Sequence, residues 1–567
     1  MAYNSSHTGA QIDSAVGKVI EKSGTWDNKQ DKIKGKKGQY AGFTEDNVLG
    51  AVNAPSSGGG SIITITFAAD FVGQEWTLSG GDETYTGTVD SSLTATVSVL
   101  GINTTYTLSA ALSGTTYTAE VTTKDYYTAL AVTLEKFQST ITVTVDSGST
   151  VTATLGSTVL TKASNGTAVF TVSKAGTWAI KATKGSDTAS GTVTISKSSE
   201  SKALTLIYAN VFGVVWDTSN SSTALTRLTP STDPYGLVTR SVTTEPKPAV
   251  GTGSGSSPFD NYAPWSGMRE CNLNASGAVT AWKGDSGFSY DRDFTMVFIP
   301  VFYVAQKRSG TKQYFYVSDK AKTGFTKHPG SGKYVGRYHM GSVRPSTALV
   351  SPYVDMTRAT ARSKAKSNGS KYHLYDFATY CAIIFLYIVE FADWNCQKKI
   401  GPGITNASMH SNGDTDNMKY HTGRTNDFAG NAQNPVQYRW VENLWGNVSQ
   451  WVDGFNANGT EAYYCTDPSK YADDTTTGYT KIGTLPASGW IKDLTVTDNG
   501  LLIPKTSGGS ETTYVPDYVY SFSPGWRVLF VGGSWNNGTH AGLLFFNAYN
   551  ASSDSYSYIS ARLLCEP

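Results

Sequence analysis

From residue 62 to 196 the chain alternates small polar residues with branched apolar ones. The stretches ITITF, TATVSV, TYTLSAAL and TYTAEVTT, punctuated by glycine turns, predict half-buried strands. STITVTV, TVTATL, TAVFTV and GTVTIS repeat the same order further on. Two small β-sandwiches follow, over 61–137 and 138–200. Neither has the Cys–Trp–Cys spacing of antibody domains, and neither contains a titratable cluster. From about Leu204 the pattern becomes irregular and aromatic-rich, with two helical stretches. MTRATARSKAKSNG reads as an exposed basic amphipathic helix. YHLYDFATYCAIIFLYIVEFADW is apolar nearly all round and predicts a helix buried within one large α+β domain, 201–567. Before the sandwiches, Ile12, Val16 and Val19/Ile20 recur at helical spacing, a seam suited to self-association. A basic Gly-rich segment and the linker APSSGGGS then complete residues 1–60.

The end of the chain breaks the usual strand pattern. Asp554, Tyr556 and Tyr558 alternate with serines, and Phe545, Asn547 and Tyr549 show the same period. Each set predicts one face of a strand. Asn536, Asn537 and His540 fall in a turn that Gly538 permits. These nine side chains are the candidate recognition residues. Trp535 and Arg562 are expected buried or half-buried beneath them, with Gly532, Gly533 and Gly542 as further framework. Tyrosine gives rigid contact area, and serine and asparagine give adaptable hydrogen bonds.

Lys+Arg 46 against Asp+Glu 45 leaves 567 residues nearly neutral, which argues against nucleic acid or an anionic membrane as partner. The first residues have neither the basic start nor the apolar core of a secretory signal, and the apolar run at Cys381–Val389 is too short to span a bilayer. Five scattered cysteines read as free thiols. No HExxH, GxSxG, Walker or dinucleotide motif is present. Asp414, Asp416 and Asn417 in SNGDTDN lack the downstream Glu of an EF-hand and read as a solvated turn, and WNNG at 535–538 is weak as a metal motif. No metal and no cofactor are expected. Trp440, Trp445 and Trp451 read as aromatic core around a Gly446-Asn447 turn.

Several stretches carry a resemblance. HTGAQIDSAVGKV and KQDKIKGKKGQYAGFTEDNVLGAV resemble the opening of bacteriophage tail-fibre proteins. WVENLWGNVSQWVDGF and GWRVLFVGGSWNNGTHAGLLFF resemble the C-type lectin fold shared by formylglycine-generating enzymes and the variable proteins of diversity-generating retroelements. YANVFGVVWDTSNSSTALTRLT, SSPFDNYAPWSGMRECNLNASGAVTAWKGDSGF and VEFADWNCQKKIGPGI extend the match from about 204 to the end. The enzymes require a cysteine pair near the C-terminal motif. GWRVLFVGGSW…SARLL has none, and Cys565 follows it alone in sequence, so no catalytic residue carries over. In the variable proteins, mutated adenines of AAC-type codons yield Asn, Asp, His, Tyr, Ser, Thr, Ile, Phe or Leu but never Lys, Glu, Gln, Met or Trp. From Val528 to Leu564 the first four of these are absent, and the one tryptophan, Trp535, sits in the framework stretch GGSW.

The resemblance implies a multidomain phage tail-tip receptor-binding protein in the virion, made in the host cytoplasm. Residues 1–60 attach to tail or baseplate proteins and two Ig-like modules act as spacers. A C-type lectin head with a variable region at about 527–564 binds a host surface structure, protein or glycan, and is held as a homotrimer. A bacterial surface adhesin with the same head is the alternative, and a glycan depolymerase or formylglycine-type enzyme is less favoured. The genomic signature expected is a near-copy of the DNA for residues 527–564, differing only at adenines, beside a reverse-transcriptase gene. A near-copy differing equally at other bases contradicts it.

Overall fold

The computed structural model describes the backbone of residues 39–43 and 49–53, and in full residues 60–124, 128–185, 187–426, 433–521 and 524–567. The chain divides into two compact units, Met1–Leu206 and Ile207–Pro567. The helical seam at Ile12–Ile20 and the APSSGGGS linker, but for its last two residues, lie outside the described residues. Within the segment read as attachment and linker, Gln39–Phe43 and Leu49–Asn53 pair as an antiparallel hairpin, which the Gly-rich, basic composition did not suggest.

The first unit contains two sandwiches of one design. In the first, Thr94–Val99, Ser61–Phe67 and Ala129–Leu134 form a three-stranded sheet. Glu83–Thr88, Glu75–Gly80, Thr105–Leu112 and Thr115–Thr122 form a four-stranded one. Ile63, Ile65, Leu78, Tyr106 and Leu108 are fully buried between them, the inward half of the period-two pattern. The second repeats the order, with Thr167–Val172, Ser139–Thr144 and Ser201–Thr205 in one sheet and Thr158–Ser164, Ser149–Leu155, Gly176–Lys184 and Asp187–Ile195 in the other. In each, first and last strands run parallel. That last strand corrects the expected boundary at 200. Residues 201–205 belong to the second sandwich, because their amides and carbonyls complete its edge and Leu206 N still donates to Thr144 O at 2.9 Å.

In the second unit, helix α1 (Arg358–Lys366), helix α2 (Phe377–Phe391) and helix α3 (Cys396–Lys399) pack among several sheets. All fifteen residues of α2 are buried, as expected for a helix apolar on every side. Asp376 caps it, accepting from Thr379 N at 2.7 Å, and also pairs with Lys333 Nζ at 2.8 Å. Helix α1 departs from expectation. Arg358, Ala361 and Ala365 face inward, and the Arg358 guanidinium is buried against the carbonyl of Val452 (3.1 Å) and Asp473 Oδ1 (2.7 Å by Nε). Arg362 joins Asp453 at 2.6 Å. Two of its basic residues therefore brace the fold, because the buried Asp453 on a distant strand and the half-buried Asp473 in a loop supply their counter-charge.

The last strand, Arg562–Cys565, lies inside a six-stranded sheet between Lys333–His339 and Tyr372–Leu374. Arg562 is fully buried. Its Nε donates to Gln450 Oε1 at 2.7 Å. One terminal nitrogen donates to the carbonyls of Gly336 (2.8 Å) and Arg337 (2.7 Å), the other to those of Glu442 (2.7 Å) and Asn443 (3.2 Å). All five guanidinium donors are used. Burial lowers its pKa to about 10, so it stays cationic at neutral pH. Arg562→Ala strands four buried carbonyls and an amide oxygen and is expected to cost ~3–5 kcal/mol, read as a large fall in melting temperature of the second unit. An unchanged melting temperature contradicts this anchoring role.

Candidate functional site

The C-terminal segment begins at strand Trp526–Val531, which pairs with Ser449–Asn458. It then turns sharply through Gly532 (φ 89) and Gly533 (φ 74). A Cβ on Gly532 would stand 2.5 Å from Leu444 O, so backbone approaches backbone only because the residue is glycine. Next comes the short 3₁₀ turn Gly538–His540, then the three-residue strand Phe546–Ala548 and an irregular loop.

The expected single exposed patch of nine side chains does not form. Asn536 is exposed, and Tyr549 is 47% exposed. Asn537, His540, Asp554, Tyr556 and Tyr558 are half-buried. Phe545 (1% exposed) and Asn547 (9%) are buried and belong to the interior. The sheet at Phe546–Ala548 is covered on both faces, so consecutive residues are buried and period-two alternation does not apply. Nor do residues 550–558 form a strand. They loop back with Asp554 as organiser, its Oδ2 accepting from Asn550 Nδ2 and Ala551 N, each at 3.0 Å. Asn537 is committed in the same way, its Oδ1 accepting from Ser534 N at 2.8 Å. Asn536 Oδ1 accepts from Ser534 Oγ at 2.7 Å, and Asn547 Oδ1 from Tyr549 N at 3.0 Å.

Phe545 is the joint of a run of aromatic rings from core to surface. Trp451, whose indole donates to Met356 O at 2.9 Å, meets Phe530 edge-on at 5.4 Å. Phe530 contacts Phe545 at 6.2 Å, and Phe545 contacts Tyr520 at 5.8 Å. Tyr520 leads to Tyr518 (4.6 Å) and donates to or accepts from His540 Nδ1 at 2.7 Å. His540 stacks on Tyr518 at 4.1 Å and meets Trp490 edge-on at 4.9 Å. Tyr556 and Tyr558 pack against the same interior cluster and stack on one another at 5.0 Å, 14° from parallel. Trp490, Tyr518 and Tyr520 were missed because they precede the segment read as variable. The alternation of half-buried Tyr518 and Tyr520 about buried Val519 is the signal that could have found them.

A flanking loop completes the surroundings. The loop 404–417 lies against the segment through Ala407 N to Trp535 O (3.0 Å) and Gly538 N to Thr405 O (2.8 Å). Trp535 is half-buried there. SNGDTDN in this loop is no solvated turn. Asp416 Oδ1 accepts from buried Arg337 at 3.0 Å, and burial, opposed by that arginine, lifts its carboxyl to about 6. No group of His, Cys, Asp and Glu suited to a metal occurs among the described residues. Trp445 and Trp451 are core, with Gly446 and Asn447 both at positive φ as a turn requires. Trp440 is instead half-buried at φ 73 beneath Lys283 Nζ, 3.7 Å from its ring centre. All five cysteines are buried free thiols, and burial pushes Cys271 and Cys565 up to about 12.

Beneath the face lies Asp517, fully buried, with Oδ2 accepting from Leu544 N at 2.7 Å and Oδ1 where any Cβ on Gly542 would collide. Burial lifts its carboxyl to about 8.

The chain is thus a β-rich multidomain protein whose last unit ends in a hydroxyl- and amide-rich face on aromatic backing. Neither a family model nor a curated protein matches it. Among solved structures, similarity is found to the Major Tropism Determinant P3c variant, at 12% identity over 70% of this chain and 82% of that one, TM-score 0.22. The M1 variant gives 11% identity over 68% and 80%, TM-score 0.23. The Bacillus anthracis TIE protein gives 12% identity over 30% of this chain and 40% of that one, TM-score 0.14. What the face can do is decided by its own residues.

Two outcomes follow from these placements. Phe545→Ala is expected to destabilise the unit by ~3–5 kcal/mol, whereas Tyr549→Ala stays within about 0.5 kcal/mol, both read by denaturant unfolding. Equal effects would remove Phe545 from the core. Asp517 has its folded pKa raised above the unfolded value of about 4. Its contribution is therefore complete below about pH 4 and is lost as pH rises through 8. Melting curves from pH 5 to 9 should show Asp517→Asn gaining on the parent as pH rises, and parallel curves would sink the assignment.

Proposed function

We propose that the chain is a receptor-binding protein of a phage tail tip, with a C-type-lectin-fold head that meets a host surface structure through its C-terminal face. One observation carries the reading. The segment free of Lys, Glu, Gln and Met from Val528 to Leu564 puts its tyrosines and most of its small polar residues at or near the surface, with Ser534, Asn547, Asn550 and Ser560 buried, over a backing of buried rings and Arg562. A face of this kind tolerates change at Asn536, Tyr549, Ser553, Ser555 and Ser557, all exposed, while the interior stays fixed. In this reading the two sandwiches are Ig-like spacers and residues 1–60 attach to the tail. The protein works as a homotrimer, whose repeated weak contacts add through multivalency. Its role is binding and not catalysis; the buried, protonated thiols of Cys271 and Cys565 suit that role.

The test is adsorption of labelled full-length chain to a panel of bacterial strains. Tyr549→Ala and Tyr556→Ala are each expected to weaken adsorption by ~1–3 kcal/mol, with the melting temperature held in the Tyr549 variant. Adsorption to no strain, or adsorption indifferent to both substitutions, would overturn the proposal.

A further inference from the structure

Trp490, Tyr518, Tyr520 and His540 form a surface cluster of which only His540 falls in the segment read as variable. Trp490 and Tyr518 come from the antiparallel strands Gly489–Val496 and Val515–Ser521, where they are register partners. Their rings meet at 5.5 Å, 77° apart. His540 reaches them from the 3₁₀ turn, parallel to Tyr518 within 16° and perpendicular to Trp490 at 87°. Four half-buried rings thus hold one another in a fixed corner, continuous with the core through Tyr520 and Phe545.

Their polar heads are left open. Trp265, Trp445 and Trp451 turn their indole N–H to a backbone carbonyl, those of Leu386, Gly401 and Met356, the common arrangement for an enclosed amphipathic ring, whereas the buried Trp216 and Trp394 indoles find no partner among the described residues. Among the described residues, Trp490 Nε1, the Tyr518 hydroxyl and His540 Nε2 have no protein hydrogen-bond partner, while Tyr520 occupies His540 Nδ1. Burial lowers His540 below its ordinary pKa, against a weaker opposing pull from Glu511, so the ring is neutral at pH 7. The nearby Lys492 is placed over Tyr514, outside this corner. The corner therefore offers partly exposed ring surface and unpartnered polar edges, with no formal charge among its four side chains. A pyranose ring has the complementary make-up: an apolar C–H face and equatorial hydroxyls at its rim. A phosphate or carboxylate ligand would find no cation in the cluster, and an aliphatic peptide segment would leave the three polar heads unused.

We infer that Trp490, Tyr518 and His540 form a binding site for a neutral pyranose saccharide, with Tyr520 positioning the imidazole. The inference rests on the recognition reading only in placing a ligand on the same unit, since it assigns that ligand to residues outside most of the variable segment.

The full-length chain is applied to a printed array of neutral hexopyranose oligosaccharides, and the strongest binder is then titrated by calorimetry. Binding of at least one saccharide is expected. Trp490→Ala and Tyr518→Ala should each weaken it by roughly tenfold or more. Trp490→Phe, which keeps a ring and removes the donor, should give a smaller loss, and Tyr549→Ala none. The Trp490→Phe and Tyr518→Phe variants preserve the ring packing and keep the test valid if an alanine variant fails to fold. No saccharide bound, or affinity unchanged in the tryptophan and tyrosine variants, overturns the inference. Saccharide binding that follows the corner, alongside cell adsorption indifferent to Tyr549 and Tyr556, would retain the saccharide site and remove the variable-face proposal. The reverse pattern would do the opposite.

Discussion

A guanidinium buried at Arg562 must have all five of its N–H donors met, and that requirement fixes the second unit around its last strand. The acceptors come from the strand Lys333–His339, from Glu442 and Asn443, and from the Gln450 side chain. Three regions distant in sequence are thereby held at hydrogen-bond distance from one side chain. The strand also sits inside a sheet, so its backbone is paired on both sides. A segment framed at its end by such a residue can carry varied side chains upstream, because its two ends are set by backbone bonds and by Arg562.

The same logic extends to the other buried charges. Arg439 is enclosed with Glu390 at 2.5 Å and Asp260 at 2.9 Å, and Arg337 with Glu270 at 2.9 Å. Each ion is expensive to desolvate and is retained with a partner. Asp517 is the exception, a buried carboxyl that burial holds protonated near neutral pH, and it meets the loop Gly542–Leu544 through one amide.

The surface draws its rigidity from rings. From Trp451 through Phe530, Phe545 and Tyr520 to His540, each contact orders the next. Residues at the outer end can then present fixed faces at little entropic cost on binding. Tyr549, beyond the strand Phe546–Ala548, is the exposed large side chain of the segment.

Periodicity and composition were sufficient for whatever depends on near neighbours. Alternation of Thr/Ser with Val/Ile marked both sandwiches, because a strand's two faces are set locally. An all-round apolar stretch marked α2. Tertiary structure decided which faces were covered. Phe545 and Asn547 turned inward because a sheet closes over both their sides, and Arg358 was drawn into the interior by Asp473 and the Val452 carbonyl. Residues 201–205 completed an edge that only the folded partner strand defines. Trp490 and Tyr518 joined His540 through strand pairing and a turn, and Arg562 bonds to Gly336 across 226 positions. Local patterns report how a side chain points relative to its own backbone. Burial depends on what arrives from elsewhere in the chain.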